Sequence, residues 1–284
     1  MIVIGSDVKI DAHQHFWDYS ANAADYVWMG DEHALLKRDF LPADLAPLLE
    51  ATGFNATVAV QAREMEVETR FLLDLARSRP AILGVVGWAD LCAPNAGDRI
   101  DSLAHPKLRG FRMLIHDRPD PDFAASPHHL RGVAMLESRG LTYDLLLKPP
   151  HLASAVRLVD ALPNQSFVVD HIAKPALDGS DWDIWAAGMA AIAARSNVWC
   201  KLSGLATLGG WPPDGIERYL DHVVALFGAA RCMIGSDWPV ATCAASYQDT
   251  MAIVARWGNR LSVDERAFVM GATCADFYGL GNEA

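Results

Sequence analysis

A single (β/α)8 barrel of the TIM type is the fold this sequence predicts, as one domain over residues 1–284, and three observations predict it. Eight short β-rich runs recur along the whole length, at 8–13, 56–61, 82–88, 108–113, 142–147, 166–171, 198–202 and 231–236. Most are near-continuously apolar, as parallel strands covered on both faces are. Helical patterns lie between them: 67–77, 152–162 and 217–227 each set apolar residues at intervals of three and four. No composition break or Gly/Ser linker divides the 284 residues, and a parallel α/β barrel uses about 250 residues as one domain.

Strand and helix in alternation also fit a long doubly wound sheet. Such a sheet would carry G-x-G-x-x-G after its first strand or a P-loop, and the sequence has neither. The last helix has a start signal, Ser262 and Glu265 in capping-box spacing. The longest apolar stretch, 184–194, is padded with Ala and Gly and closed by Arg195. It falls short of the about 20 residues a membrane span needs, and reads as a buried helix.

Hydrophobic residues make up 51% of the chain and charged residues 21%, which excludes a disordered polymer. Lys and Arg number 24 against 35 Asp and Glu, giving a net charge of −11. That field repels phosphate backbones and anionic lipid, so neither nucleic acid nor a membrane is expected as partner. The opening MIVIGSDVKI has no basic segment and no small-residue cleavage site, so no secretory leader is expected. Five cysteines (Cys92, Cys200, Cys232, Cys243, Cys274) are odd in number, widely spaced and without a C-x-x-C pair. They read as buried thiols of a reducing, cytoplasmic protein.

In a barrel the βα loops build the active face, so chemistry is sought where strands end. Strand one ends Asp11-Ala12-His13-Gln14-His15. Alternation points His13 and His15 the same way, about 7 Å apart along the strand. Two inward imidazoles would serve as metal ligands, proton carriers or carbonyl polarisers, and two solvent-facing loop histidines are the alternative. Strand eight runs into Ser236-Asp237-Trp238-Pro239, where Asp237 must be solvated, paired or metal-bound, or else cap a helix. The last strand closes beside the first, which places Asp237 next to His13 and His15. Strand six supplies His171, within Asp170-His171-Ile172-Ala173-Lys174-Pro175.

Strand four ends Gly110-Phe111-Arg112, an anchor for a carboxylate or polar oxygens. Strand two offers Gln61 and strand five Lys148, while Lys201 on strand seven reads as a snorkelling surface cation. Trp17, Trp28 and Trp238 could wall a sugar-like ring or simply cap the core. The remaining histidines, His33, His105, His116, His128, His129, His151 and His222, fit no strand end, and His222 on an amphipathic helix reads as structural. No G-x-S-x-G elbow is present, which disfavours a serine nucleophile.

Taken in order, Asp11-Ala12-His13-Gln14-His15-Phe16-Trp17, Gly110-Phe111-Arg112, Asp170-His171-Ile172-Ala173-Lys174-Pro175, Lys201-Leu202-Ser203-Gly204 and Gly235-Ser236-Asp237-Trp238-Pro239 resemble the amidohydrolase superfamily. The resemblance is to the branch holding the sugar lactonases, L-fuconolactonase and L-rhamnonolactonase among them, and 2-pyrone-4,6-dicarboxylate lactonase. It implies a catalytic set of His13, His15, His171 and Asp237. Arg112 stands where two-metal members bridge with Lys or Glu, and Leu147-Lys148-Pro149 where they carry a strand-five His. The pattern therefore implies one divalent ion, zinc by first choice, on His13, His15 and Asp237, or none, and leaves open whether activity requires it.

The expected reaction is opening of a neutral sugar lactone, L-fucono- or L-galactono-type, by activated water. Asp237 would be the base and the histidines would polarise the carbonyl. Arg112, Gln61, Lys148, Trp28 and Trp238 would form the substrate cradle. The alternatives are a metal-dependent decarboxylase on the same barrel, a pyrone-dicarboxylate lactonase, and a non-catalytic carbohydrate-binding barrel. A dicarboxylate would want several arginines at strand ends, where only Arg112 is found.

Overall fold

The eight expected strands form in the computed structural model, which describes residues 8–281. They are β1 (Ile10–Gln14), β2 (Ala56–Val60), β3 (Ile82–Gly87), β4 (Leu108–Met113), β5 (Thr142–Leu145), β6 (Phe167–Val169), β7 (Val198–Leu202) and β8 (Cys232–Ile234). Neighbours pair in parallel in the order β1 to β8. A parallel bridge between Gln14 and Trp238 returns the last strand to the first. There Asp237 N–H donates to His13 O at 2.8 Å and His15 N–H to Trp238 O at 2.6 Å. The result is a nearly closed barrel. The reading of residues 1–7 as free of a leader lies outside the described residues.

A helix follows each strand: α1 (Pro42–Thr52), α2 (Glu66–Ser78), α3 (Ala96–Asp101), α4 (Pro127–Val133), α5 (Leu152–Ala161), α6 (Trp182–Ala193), α7 (Ile216–Phe227) and α8 (Tyr247–Trp257). The three-and-four spacing shows directly in α7, which buries Ile216, Tyr219, Leu220, Val223 and Phe227. The Ser262/Glu265 capping box is present, with Ser262 N–H on the Glu265 carboxylate at 2.8 Å and Glu265 N–H on Ser262 Oγ at 3.2 Å. No helix among the described residues is long and apolar enough to cross a membrane.

Two expectations need correction. The apolar run 184–194 lies in a surface helix, α6, which buries only Trp185, Met189, Ile192 and Ala193 and leaves Ile184 64% exposed. Its alanines and Gly188 supply apolar character without bulk, so hydrophobicity there overstates burial. Strands six and eight also stop short of 171 and 236, at Val169 and Ile234. Beyond these points the backbone leaves the sheet, with positive φ at His171, Ile172, Ala173, Lys174 and Asp237. Those departures carry the candidate site residues His171 and Asp237.

The barrel interior is layered. Val168, Trp199 and Met233 belong to an apolar cluster with Phe277 and Tyr278 of the C-terminal segment. Two residues further on, the same strand faces present Asp170, Lys201 and Gly235. A polar layer thus sits directly above an apolar floor.

Candidate active site

The pairing of β1 on β2 shifts register between Asp11 and Gln14, the kind of irregularity that re-aims a side chain. His13 and His15 converge more than a regular strand allows, with Nε2 atoms 3.3 Å apart. Asp11 fixes the seam beneath them. Its buried carboxylate accepts from Ser236 Oγ at 2.6 Å, Ser236 N–H at 2.9 Å, Tyr247 Oη at 3.1 Å and His13 N–H at 3.2 Å. Burial pushes the Asp11 carboxyl up to about 6, against these hydrogen bonds.

Ser236 leads into Asp237, whose φ is +58°. The side chain does not cap the turn that follows; the backbone carbonyl of Asp237 takes Ala241 N–H instead. Its carboxylate turns inward, with Oδ1 3.1 Å from His15 Nε2, 3.7 Å from His13 Nε2 and 3.8 Å from His171 Nε2. Burial would raise this carboxyl, but His171 and the hydrogen-bonded His15 outweigh it and hold it at about 2. His171 is brought in by the left-handed run from 171 to 174, and its Nδ1 lies 2.9 Å from Ser203 Oγ. Four consecutive left-handed non-glycine residues store strain of about 1–3 kcal/mol each, which persists only where surrounding structure imposes it. Gly204 is part of that surrounding: a Cβ there would stand 2.6 Å from His171 Nδ1. Burial draws both His13 and His171 well below the ordinary histidine value, so both are neutral near pH 7.

Below the histidines lies a closed set of charges. Arg112 donates to Asp170 Oδ2 at 2.9 Å and, through its other terminal nitrogen, to Gln61 O. Lys201 Nζ sits 2.5 Å from Asp144 Oδ2, 3.1 Å from Asp170 Oδ1 and 3.2 Å from His13 Nδ1. Tyr278 Oη completes it on Asp144 at 2.8 Å. Lys201 is fully buried and is no surface cation. Its alternation with Cys200 puts it on the inner face, where two carboxylates offset the loss of water. They hold its ammonium above the usual lysine value despite burial.

Above this layer opens a cavity of about 270 Å³, at the small end of ligand pockets. His15, His171, Asp237, Arg112 and Trp28 line it, as the sequence suggests. Trp17 and Trp238 do not: both are core residues behind the wall. Trp17 donates its indole N–H to Arg38 O at 2.9 Å and packs on Trp28, while Trp238 packs between Phe16 and Phe40. Gln61 is fully buried beside Arg112, and Lys148 is exposed outside the lining set. The cavity also recruits His33, His116, Asp117 and Lys174, which strand-end reasoning passes over. Their signal is weak: His116 and Lys174 follow strands four and six by a few residues, on loops whose course the sequence does not specify. Burial, with Lys174 and Lys148 nearby, draws His116 down to about 2, so it faces the cavity uncharged. His222 packs on Trp182 and Trp185, in the structural role expected of it.

A sequence model of the amidohydrolase family matches residues 10–280. This chain belongs to the amidohydrolase family. This amidohydrolase is 40% identical to an L-fucono-1,5-lactonase of Burkholderia multivorans, over 98% of each chain. It is 38% identical to an L-fucono-1,5-lactonase of Burkholderia ambifaria, over 95% of each. Its structure superposes on that of an amidohydrolase from Burkholderia multivorans with bound zinc at a TM-score of 0.91 and 41% identity, covering 96% of this chain and 99% of that one.

In this amidohydrolase, His13, His171 and Asp237 each offer a ligand atom, and the three atoms lie within 4.8 Å of one another. The compact triad therefore includes His171, whereas the sequence points to His15. His15 remains adjacent, and its Nδ1 must donate to Val60 O at 2.8 Å because a carbonyl only accepts. In the neutral ring that leaves an Nε2 lone pair facing the Asp237 carboxylate at 3.1 Å. Two acceptors so placed need a proton or a cation between them. The nitrogen and oxygen donors suit zinc, and the bonds of His15 to Val60 O and of His171 to Ser203 are the outer contacts that orient metal-binding imidazoles.

Proposed function

We propose that this amidohydrolase, acting as one barrel domain, opens a neutral sugar lactone of the L-fucono-1,5-lactone type to its aldonic acid with water. The observation that carries the reading is Asp237, an ionised carboxylate amid three imidazoles at the base of a small cavity. The near-full-length similarity to two L-fucono-1,5-lactonases supports it. Asp237 takes a proton from water as its oxygen bonds to the lactone carbonyl carbon, and returns it to the ring oxygen as the C–O bond breaks. His171, which lines the cavity, turns its ring edge toward the carbonyl oxygen as charge builds there. A zinc ion held by His13, His171 and Asp237 would add Lewis acidity toward that oxygen. We place the reaction in the cytoplasm, in keeping with five cysteines that all stand unpaired.

The neutral substrate is favoured over a dicarboxylate by what Arg112 already does. Both terminal nitrogens of its fork already serve partners, Asp170 and Gln61 O, with which an incoming carboxylate would have to compete. The test compares initial rates on aldonolactones with those on pyrone dicarboxylate, at several salt concentrations. Faster turnover of aldonolactones, little affected by salt, is expected. Faster and salt-sensitive turnover of the dicarboxylate would overturn the substrate assignment.

Metal content gives a separate expectation. Elemental analysis of the zinc-loaded protein should find at most one zinc per chain, lost in a variant lacking both His13 and Asp237. Lys201 and Arg112 already supply the positive charge on the inner side of His13, which leaves no place there for a second cation. Two metals per chain, or one retained without both residues, would refute this.

A further inference from the structure

Ring opening makes charge. A neutral lactone enters and, once the new acid has released its proton to solvent, a carboxylate remains in the cavity that Asp237 lines. A carboxylate is costly to hold where water is scarce, and a cation not already engaged offsets that cost. Two cationic side chains line the cavity among the described residues, Arg112 and Lys174. The terminal nitrogens of Arg112 bind Asp170 and Gln61 O. The fully buried lysine near the histidines, Lys201, is held between Asp144 and Asp170. Lys174 differs from both: its ammonium has no hydrogen bond and no ion pair among the described residues.

Its placement follows from the backbone. The left-handed run that swings His171 inward ends on Lys174, with φ of +49°, so one deformation delivers both side chains to the same cavity. Resting on the lactonase reading above, we propose that Lys174 binds the carbonyl oxygen of the substrate and the carboxylate that it becomes. Neutral hydroxyl groups are left to the polar walls, His33 and His116. Burial pulls the ammonium below the ordinary lysine value, against the attraction of Asp237, and Arg112 and Lys148 add to the fall. An incoming anion reverses that cost, which is how an unpaired, half-buried cation selects for one.

The experiment measures binding and turnover in the wild type, Lys174→Gln and Lys174→Arg. Calorimetry gives the affinity for an aldonate, the charged product, and for the matching alditol, its uncharged counterpart. Lys174→Gln should weaken aldonate binding about 10- to 100-fold, the usual worth of a charge-assisted hydrogen bond. Alditol binding should change less than about threefold. Turnover should fall by about 10²-fold, as when one donor to a developing oxyanion is lost. Lys174→Arg should restore aldonate affinity. Equal weakening of aldonate and alditol, or unchanged aldonate affinity in Lys174→Gln, would overturn the assignment; should Lys174→Gln fail to fold, Lys174→Met is read in the same way. A wild type that neither binds aldonates nor opens aldonolactones would instead overturn the lactonase reading.

Discussion

Asp237→Asn should lower turnover of an aldonolactone by about 10²-fold or more, with a much smaller change in KM, in steady-state assays. Asparagine keeps the size, the left-handed backbone tolerance and an acceptor oxygen, and loses only the ability to take a proton. The carboxylate's position makes that loss decisive, since its Oδ1 lies within 4 Å of three imidazoles and the residue borders the cavity. A role in capping the following turn would predict near-normal turnover. The geometry already argues against such a role, because the backbone carbonyl of Asp237, not its side chain, receives Ala241 N–H. A variant that kept most of its turnover would remove Asp237 from the chemistry.

The second large effect is on stability. Lys201→Met should cost about 3–5 kcal/mol of folding free energy, seen as a lower denaturant midpoint with the slope unchanged. Methionine fills much of the space, but Asp144 and Asp170 would be left facing each other with no ammonium between them, both fully buried. At present Lys201 and His13 hold the Asp170 carboxyl well below the usual range, although burial alone would raise it. Adding Asp144→Asn should recover part of the loss, since it removes one stranded charge. A Lys201→Met protein as stable as the wild type would show that this ion set contributes little to the fold.

The barrel was legible because parallel strands covered on both faces are written as continuous apolar runs, and the start of β7 coincides with its run at Val198. The meeting of Asp237 with His13 and His15 is legible for a topological reason: beyond strand seven, the last strand of a closing barrel has only strand one to lie beside. The loops resisted reading. Nothing in Asp170-His171-Ile172-Ala173-Lys174 announces four left-handed residues, so the inward turn of Lys174 was invisible while His171 next to it was suspected. Lys201 was misjudged because a lone lysine carries no mark of its partners, which lie 57 and 31 positions away at Asp144 and Asp170. Sequence leaves Trp17 open between a ring wall and a core cap and puts Trp238 in the cradle, because aromatic bulk looks the same in sequence whether it faces a ligand or the back of one.

The seam that Asp11 holds with Ser236 spans 225 positions of chain. Asp237 and His15, in contact across the site, are 222 positions apart. No half of this molecule contains the whole centre: a fragment ending after β4 has His13, His15 and Arg112 but not Asp237, and one beginning at β5 has Asp237 and His171 without the other imidazoles. The long loop between them must close before the constellation exists, at an entropic cost that only the completed ring offsets. Reactivity is therefore a property of the finished circuit, and a nascent or fraying chain is silent toward its substrate until the last strand docks on the first.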